Sequence, residues 1–182
     1  MTVRTASTYA PGSIALHWLL ALLLPAAFVL GQYMTTLKLS PAKLQLYSIH
    51  KWIGVTAFAL ALVRIVWRIT HPAPAPVAMP RWQLFVAELT HRLLYVLMIA
   101  IPLTGWLMSS AKGFQTVYLG LLPIPDLLVK DAVLGDFLAG LHNSLNALLA
   151  ALVLAHVGAA LKHHFIDRDG LLHRMLPFLA AR

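Results

Sequence analysis

Four apolar runs, each long enough to cross a bilayer, constrain this chain more than any other feature of its sequence. The hydrocarbon core of a membrane is about 30 Å thick, so a helix rising about 1.5 Å per residue needs roughly 20 mainly apolar residues to span it. Ser13–Met34, Ser48–Ile69, Phe85–Ser110 and Leu138–His164 meet that requirement. Backbone polar groups in lipid must be satisfied within the protein, so each run is predicted to be a helix. The expected architecture is an all-α membrane protein, a four-transmembrane-helix bundle forming a single domain over residues 1–182. Composition agrees: 60% of residues are hydrophobic and 11% charged, where a soluble domain carries about 25% charged residues. The tail before Ser13 has one basic residue, Arg4, and the run after it is too long for a signal-peptide core. It is therefore read as a retained helix.

The connectors differ in character. TTLKLSPAKLQLYS joins the first two runs, and THPAPAPVAMPRWQ joins the next two, its spaced prolines favouring an extended, stiff path. The third connector, AKGFQTVYLGLLPIPDLLVKDAVLGD, has an apolar stretch from Val117 to Val129. Its prolines and glycine argue against a fifth span and for a re-entrant or interfacial segment. Lys and Arg set orientation by their excess on the cytoplasmic side. The two tails, the second connector and the adjoining helix ends hold Arg4, Arg64, Arg68, Arg81, Arg92, Lys162, Arg168, Arg174 and Arg182. The opposite side holds Lys38, Lys43, Lys51, Lys112 and Lys130. Both termini are thus expected in the cytoplasm. The net charge of +8 comes from these ends, and no basic run is interleaved with aromatics, so nucleic acid is not an expected partner.

The chain has 9 histidines and no cysteine. Disulfides, thiolate metal sites and covalent haem attachment through a C-x-x-C-H motif are excluded. Placed by depth, His17 and His91 lie near the cytoplasmic ends of their runs, and His50 and His142 near the opposite ends. His156 follows His142 by 14 residues, about 21 Å along a helix and nearly four turns. One helix therefore presents two imidazoles on one face at two depths, a spacing that fits two stacked metalloporphyrins. His50 and His142 form the pair for an outer haem. The inner haem takes His156 with either His17 or His91. A bis-imidazole iron has no open position and passes electrons rather than binding oxygen. The ligating nitrogen is satisfied by the metal, so its burial is tolerable.

Other polar residues near these levels are candidates of a second kind. Arg64 follows His50 by 14 residues and falls on a similar face at the inner level, where a guanidinium would pair with a haem propionate. Lys51 is the corresponding candidate at the outer level. Arg68 and Lys162 also sit near the inner haem level, and Arg68 is better explained by snorkelling to the interface. Gly54 and Gly158 suit either close approach of a porphyrin or helix packing. Trp18, Trp52, Trp67 and Trp106 sit near helix ends, as an aromatic belt would. His71 and His173 are expected to be solvated.

Taken together, ALHWLLALL, HKWIGVTAFALALVRIVWRITHPAP, HRLLYVLMIAIPLTGWLMSS and LHNSLNALLAALVLAHVGAALKHHFIDRDGLLHRMLP, in that order, resemble the bacterial cytochrome b561 family over nearly the whole chain. That family is related to the membrane cytochrome b subunits of hydrogenases and formate dehydrogenases. The resemblance implies two noncovalent b-type haems in the bacterial inner membrane. It implies that His17 and His156 bind the inner haem iron, and His50 and His142 the outer one. His91 is then left for a place beside the inner haem, a quinone pocket or an ordinary hydrogen-bonded core role. His163 and His164 fall where the family has its paired histidines, at headgroup depth, where a ubiquinone head would accept hydrogen bonds and exchange protons.

One branch of the family is described as superoxide oxidase, and this sequence resembles it. The implied activity is electron transfer from a periplasmic-side donor, superoxide, through the two haems to membrane ubiquinone. A second reading makes the chain the haem-bearing anchor of a partner dehydrogenase or hydrogenase. A third, a haem-free proton or metal-ion carrier, is disfavoured because Glu88 is the one acid near the interior of a run. The outer side has five lysines against Asp126, Asp131 and Asp136, so it would steer an anion only weakly.

Overall fold

A computed structural model describes residues 8–178; Arg4 and Arg182, both counted in the charge asymmetry, lie outside the described residues. Its elements run α1 (Pro11–Thr36), α2 (Pro41–Thr70), α3 (Arg81–Ala111), β1 (Thr116–Tyr118), β2 (Leu122–Ile124) and α4 (Ala132–Lys162). A π-helical turn, His163–Asp167, continues α4, and a short 3-10 turn, Leu172–Arg174, follows. All four helices are long and apolar enough to cross a membrane. The chain is a multi-pass membrane protein built as a four-helix bundle.

The helices overrun the apolar windows because caps, not hydropathy, decide where they begin. Pro11 and Pro41 stand in the first turns of α1 and α2, where the missing N–H costs nothing and φ is preset. The Ser40 hydroxyl accepts from Lys43 N at 3.2 Å, and the Asp131 carboxylate accepts from Leu134 N at 2.9 Å. Each such cap contributes about 1 kcal/mol. Most of the expected first connector is thus helical, and only residues 37–40 join α1 to α2. The proline-rich second connector, 71–80, has neither helix nor strand. At 31 residues, α3 and α4 are about 46 Å long, enough to reach through the headgroups.

α1 pairs with α2, α2 with α3 and α3 with α4. Two small apolar clusters hold the middle of the bundle. Leu20, Ala57, Ala61 and Met98 join α1, α2 and α3, and Leu97, Ile101 and Leu149 join α3 to α4, with Leu24 of α1 packed against them. Ala57 and Ala61, one turn apart, are 3% and 0% exposed; small residues at that spacing let helices approach closely. The outward faces carry Leu22, Val29, Val66, Val96 and Leu154, all exposed, as a lipid-facing surface requires.

The third connector, expected as a re-entrant or interfacial segment rather than a fifth span, has neither a long helix nor an extended loop. It folds as an antiparallel β-hairpin, Thr116 opposite Ile124 and Tyr118 opposite Leu122. Its turn places Leu119 at φ 52° and Gly120 at φ 71°, a left-handed geometry that glycine accommodates without a Cβ clash. The hairpin is tied to the helices by polar contacts. Lys51 Nζ donates to Phe114 O at 2.8 Å, and Trp52 Nε1 to Val117 O at 2.7 Å. Thr56 Oγ1 and the Tyr118 hydroxyl share a hydrogen bond of 2.9 Å, and Trp106 Nε1 donates to Pro125 O at 2.9 Å. At the other end of the bundle the terminal segments meet, with Tyr9 N donating to Arg174 O and Trp18 Nε1 to Met175 O. The two ends are called here the loop end and the termini end.

Candidate functional site

At the loop end α2 and α4 bring two imidazoles together with their planes crossed. The ring centroids of His50 and His142 are 6.4 Å apart and their planes cross at 84°. His50 Nδ1 bonds the Ala27 carbonyl at 3.1 Å. His142 Nδ1 bonds the Ile101 carbonyl at 3.0 Å and lies 3.2 Å from the Thr104 hydroxyl. A carbonyl only accepts, so each Nδ1 carries the proton and each Nε2 keeps its lone pair. That is the tautomer a metal-ligating histidine needs, held by the kind of backbone acceptor that usually orients one.

At the termini end three histidines gather. The His17 and His156 centroids are 6.3 Å apart with planes at 68°, while His91 stands edge-on to His156 at 5.2 Å. An imidazole nitrogen binds a first-row metal at about 2.0–2.1 Å and lies about 1.1 Å from its ring centre, so two imidazoles in line on one metal have centroids about 6.2–6.4 Å apart. Both the His17–His156 and His50–His142 separations fit that geometry, and the His91–His156 separation is too short for it. His91 instead donates Nδ1–H to Ala87 O on its own helix, at 2.7 Å.

Arg64 lies at the termini-end level, as its 14-residue spacing from His50 predicted. Its Nε donates to the Tyr95 hydroxyl at 3.1 Å, and its two terminal nitrogens lie 3.4 Å from Ser13 O and His17 Nδ1. Three of the five guanidinium N–H groups are thereby directed, leaving two. Lys51, the candidate for an outer propionate, directs its ammonium to Phe114 O in the segment before the hairpin, at 2.8 Å. A Cβ at Gly54, one turn beyond His50, would meet nothing within 4 Å, and the same is true of Gly158.

His163 and His164 sit in the π turn at the foot of α4, and their surroundings differ. His163 Nδ1 is 2.6 Å from Asp169 Oδ2 and 3.1 Å from Asp167 Oδ2. Asp169 is itself fixed, because its Oδ1 accepts from Leu171 N at 3.0 Å, and Lys162 pairs with Asp167 at 2.6 Å. His164 packs edge-on against Phe165. The three groups His163, Asp167 and Asp169 lie close enough to share an ion, but the Lys162 ammonium already occupies one carboxylate.

Sequence reasoning missed Asp167 and Asp169, although HHFIDRDG shows a histidine and a carboxylate four residues apart on a helix end. The tryptophans do more than line an interface. Each of the four indoles singled out donates its N–H to another segment; Trp67 reaches the Ser13 hydroxyl at 3.2 Å. His71, expected to be solvated, stacks on Trp67 at 3.9 Å and is half-buried; His173, in the 3-10 turn, is also half-buried.

A family model described as prokaryotic cytochrome b561 matches residues 8–178. Cytochrome b561 homolog 2 of Escherichia coli (strain K12) is 35% identical over 176 residues, covering 95% of this chain and 93% of that protein. Cytochrome b561 homolog 1 of the same organism is 28% identical over 166 residues, covering 90% of this chain and 94% of its own. A Yersinia pestis protein named "Probable superoxide oxidase CybB" is also 28% identical, over 173 residues, covering 90% of this chain and 93% of its own.

Proposed function

The chain belongs to the prokaryotic cytochrome b561 family, and from that premise we propose that it carries electrons across the bacterial inner membrane between two bis-histidine b haems, from superoxide on the periplasmic side to ubiquinone. Membrane electron transfer and b-type haem are what the family implies. The observation that supports two haems is the pair of imidazole separations, 6.3 and 6.4 Å, at opposite ends of one bundle. His17 and His156 are the ligands at the termini end, and His50 and His142 those at the loop end. Bound haem supplies one-electron chemistry, its potential tuned by the ligands and their hydrogen bonds.

The residues of this chain bind, orient and move protons. His17 would hold haem iron through Nε2 with its proton on Nδ1, which would then not accept from Arg64. The Arg64 guanidinium would be free to hold a propionate, for which it also has two uncommitted N–H groups. On the quinone side His163 is the proton-exchanging group rather than His164, because Asp169 and Asp167 orient its Nδ1–H and leave Nε2 to face a quinone oxygen. Two superoxide anions are oxidised to two dioxygen molecules, and one ubiquinone takes the two electrons with two protons to give ubiquinol. The termini end, richer in Arg, is the cytoplasmic side.

The test is a reduced-minus-oxidised optical spectrum with a haem-to-protein ratio, followed by superoxide and a soluble ubiquinone. Low-spin b-type bands at about two haems per chain, with ubiquinol formed as superoxide is consumed, are expected. Two haems without superoxide-driven ubiquinol would point to the anchor role with a partner redox protein. No haem in folded protein would overturn the reading.

A further inference from the structure

The two loop-end imidazoles are held by one device built twice. On α1 the Ala27 carbonyl receives the His50 Nδ1–H, and four residues on, a Cβ at Gly31 would stand 3.1 Å from His50 Cε1. On α3 the Ile101 carbonyl receives the His142 Nδ1–H, and four residues on, a Cβ at Gly105 would stand 3.1 Å from His142 Cε1. Each ring is pinned at one nitrogen by a carbonyl and lies against bare backbone one turn further along the partner helix. The usual explanation of a glycine in a membrane helix is close approach of two backbones. Here the atoms that a Cβ would meet at Gly31 are Cε1 and Nδ1 of His50, and those at Gly105 are Cε1, Nδ1 and Nε2 of His142. The absent side chain makes room for an imidazole, not for a helix.

We propose that Gly31 and Gly105, acting with the carbonyls of Ala27 and Ile101, are positioning residues that lock the loop-end imidazoles in crossed planes and so set the electronic state of the haem that they bind. The inference rests on the reading of His50 and His142 as ligands of one haem. A hydrogen bond fixes one ring atom and the tautomer, but it leaves the ring free to turn about that contact. The glycine face removes the remaining freedom. The result is the 84° angle between the rings.

That angle has an electronic consequence. Parallel axial imidazoles donate π density to the same iron d orbital and split the nearly degenerate pair. Crossed imidazoles donate to one orbital each and leave the pair nearly degenerate. Low-spin ferric iron then shows a single feature at very low field in place of a rhombic three-line spectrum. Ligand orientation also bears on the reduction potential. The termini-end pair is held differently, with the Arg64 guanidinium at His17 Nδ1 and planes at 68°. It serves as an internal control.

The experiment is electron paramagnetic resonance of the oxidised holoprotein, with haem-to-protein ratio and redox titration, on the parent, Gly31→Ala and Gly105→Ala. His50→Ala identifies which feature belongs to the loop end. A methyl at 3.1 Å forces the pinned ring to give by a few tenths of an ångström, and the pinned ring gives by turning. Expected are an unchanged haem ratio, a loop-end feature shifted to higher field, a moved loop-end potential and an unmoved termini-end signal. A loop-end feature that stays in place at full haem content overturns the proposal, as does a shift confined to the termini-end signal.

Should alanine cost the loop-end haem itself, Thr104→Val decides. The Thr104 hydroxyl shares His142 Nδ1 and also donates to Ile101 O at 2.9 Å, so its removal alters the same anchor without adding bulk. A shift with valine and a parental spectrum with Thr104→Ser support the proposal; no shift with valine overturns it. The underlying ligand reading fails separately, if His50→Ala leaves the haem ratio unchanged.

Discussion

A histidine inside a bilayer is tolerated when both ring nitrogens have partners, and the two proposed loop-end ligands differ from His91 in how they place Nδ1. His50 and His142 spend Nδ1 on a carbonyl of a neighbouring helix, whereas His91 spends it on its own helix at Ala87. Replacing His17, His50, His142 or His156 with Ala should lower the haem content from two to one per chain, while His91→Ala should retain both, read by pyridine haemochrome against protein. Loss of a haem in His91→Ala would return His91 to the ligand set. Depth was legible in the sequence because helical rise converts residue number into ångströms. The choice between His17 and His91 was not, because it turns on lateral separations of 6.3 and 5.2 Å that spacing along one helix does not carry. The same holds for Lys51, whose partner Phe114 is 63 residues away. For His163, orientation by a carboxylate is the point at issue. Asp169→Asn should slow ubiquinol formation by about tenfold or more, the usual cost of losing a carboxylate partner behind a working histidine. Haem reduction by the donor should be unaffected. An Asp169→Asn protein with parental quinone turnover would dismiss His163 as the proton-exchanging group.

The four helices could be read from hydropathy because lipid imposes a single demand on the backbone, and their starts could have been read from Ser40–Pro41 and Asp131 had caps been weighed against apolar windows. The hairpin could not. Pro123 lies inside β2, Pro125 just beyond it, and proline removes a ladder donor; Leu119 takes a left-handed φ that its identity does not suggest. What stabilises this element is its docking on α2 and α3, through contacts as far as 65 residues apart in the chain. A hydrogen bond of this kind contributes about 1 kcal/mol net. Trp52→Phe keeps the aromatic body and removes the bond to Val117. Amide exchange across 116–124 should therefore quicken by roughly fivefold, since 1 kcal/mol corresponds to about that factor in the opening equilibrium. The helices should keep their protection and the haem content should not change. Exchange equal to the parent would mean that the strands hold themselves, without the indole.

At the scale of the whole molecule the fold brings the segments around Tyr9 and Arg174 together at one end of the bundle, so orientation is a single binary choice, and basic residues decide it. A fluorescent protein fused after Arg182 should therefore fluoresce, and alkaline phosphatase in the same place should stay inactive. The opposite result would invert the proposed direction of electron flow. Orientation also fixes which charges an incoming anion meets. At the loop end Lys38, Lys43, Lys51, Lys112 and Lys130 face Asp126, Asp131 and Asp136, and Lys112 is paired with Asp136 at 2.9 Å. Lys51 and Lys43 have their ammonium groups on the carbonyls of Phe114 and Leu37, so they are fixed in place. An excess of two positive charges attracts superoxide weakly, and at about 0.15 M salt the Debye length is about 8 Å, short against the width of the bundle. Raising ionic strength from about 10 to 150 mM should thus slow superoxide-driven haem reduction only a few-fold, well short of the ten- to thousand-fold effects of strong electrostatic steering. Reversing Lys38 to Glu, an exposed position, should remove most of that dependence without changing the haem spectrum. A steep salt dependence would instead mean that positive charge is concentrated at the mouth of the site, and that local charge rather than the overall balance guides the anion in.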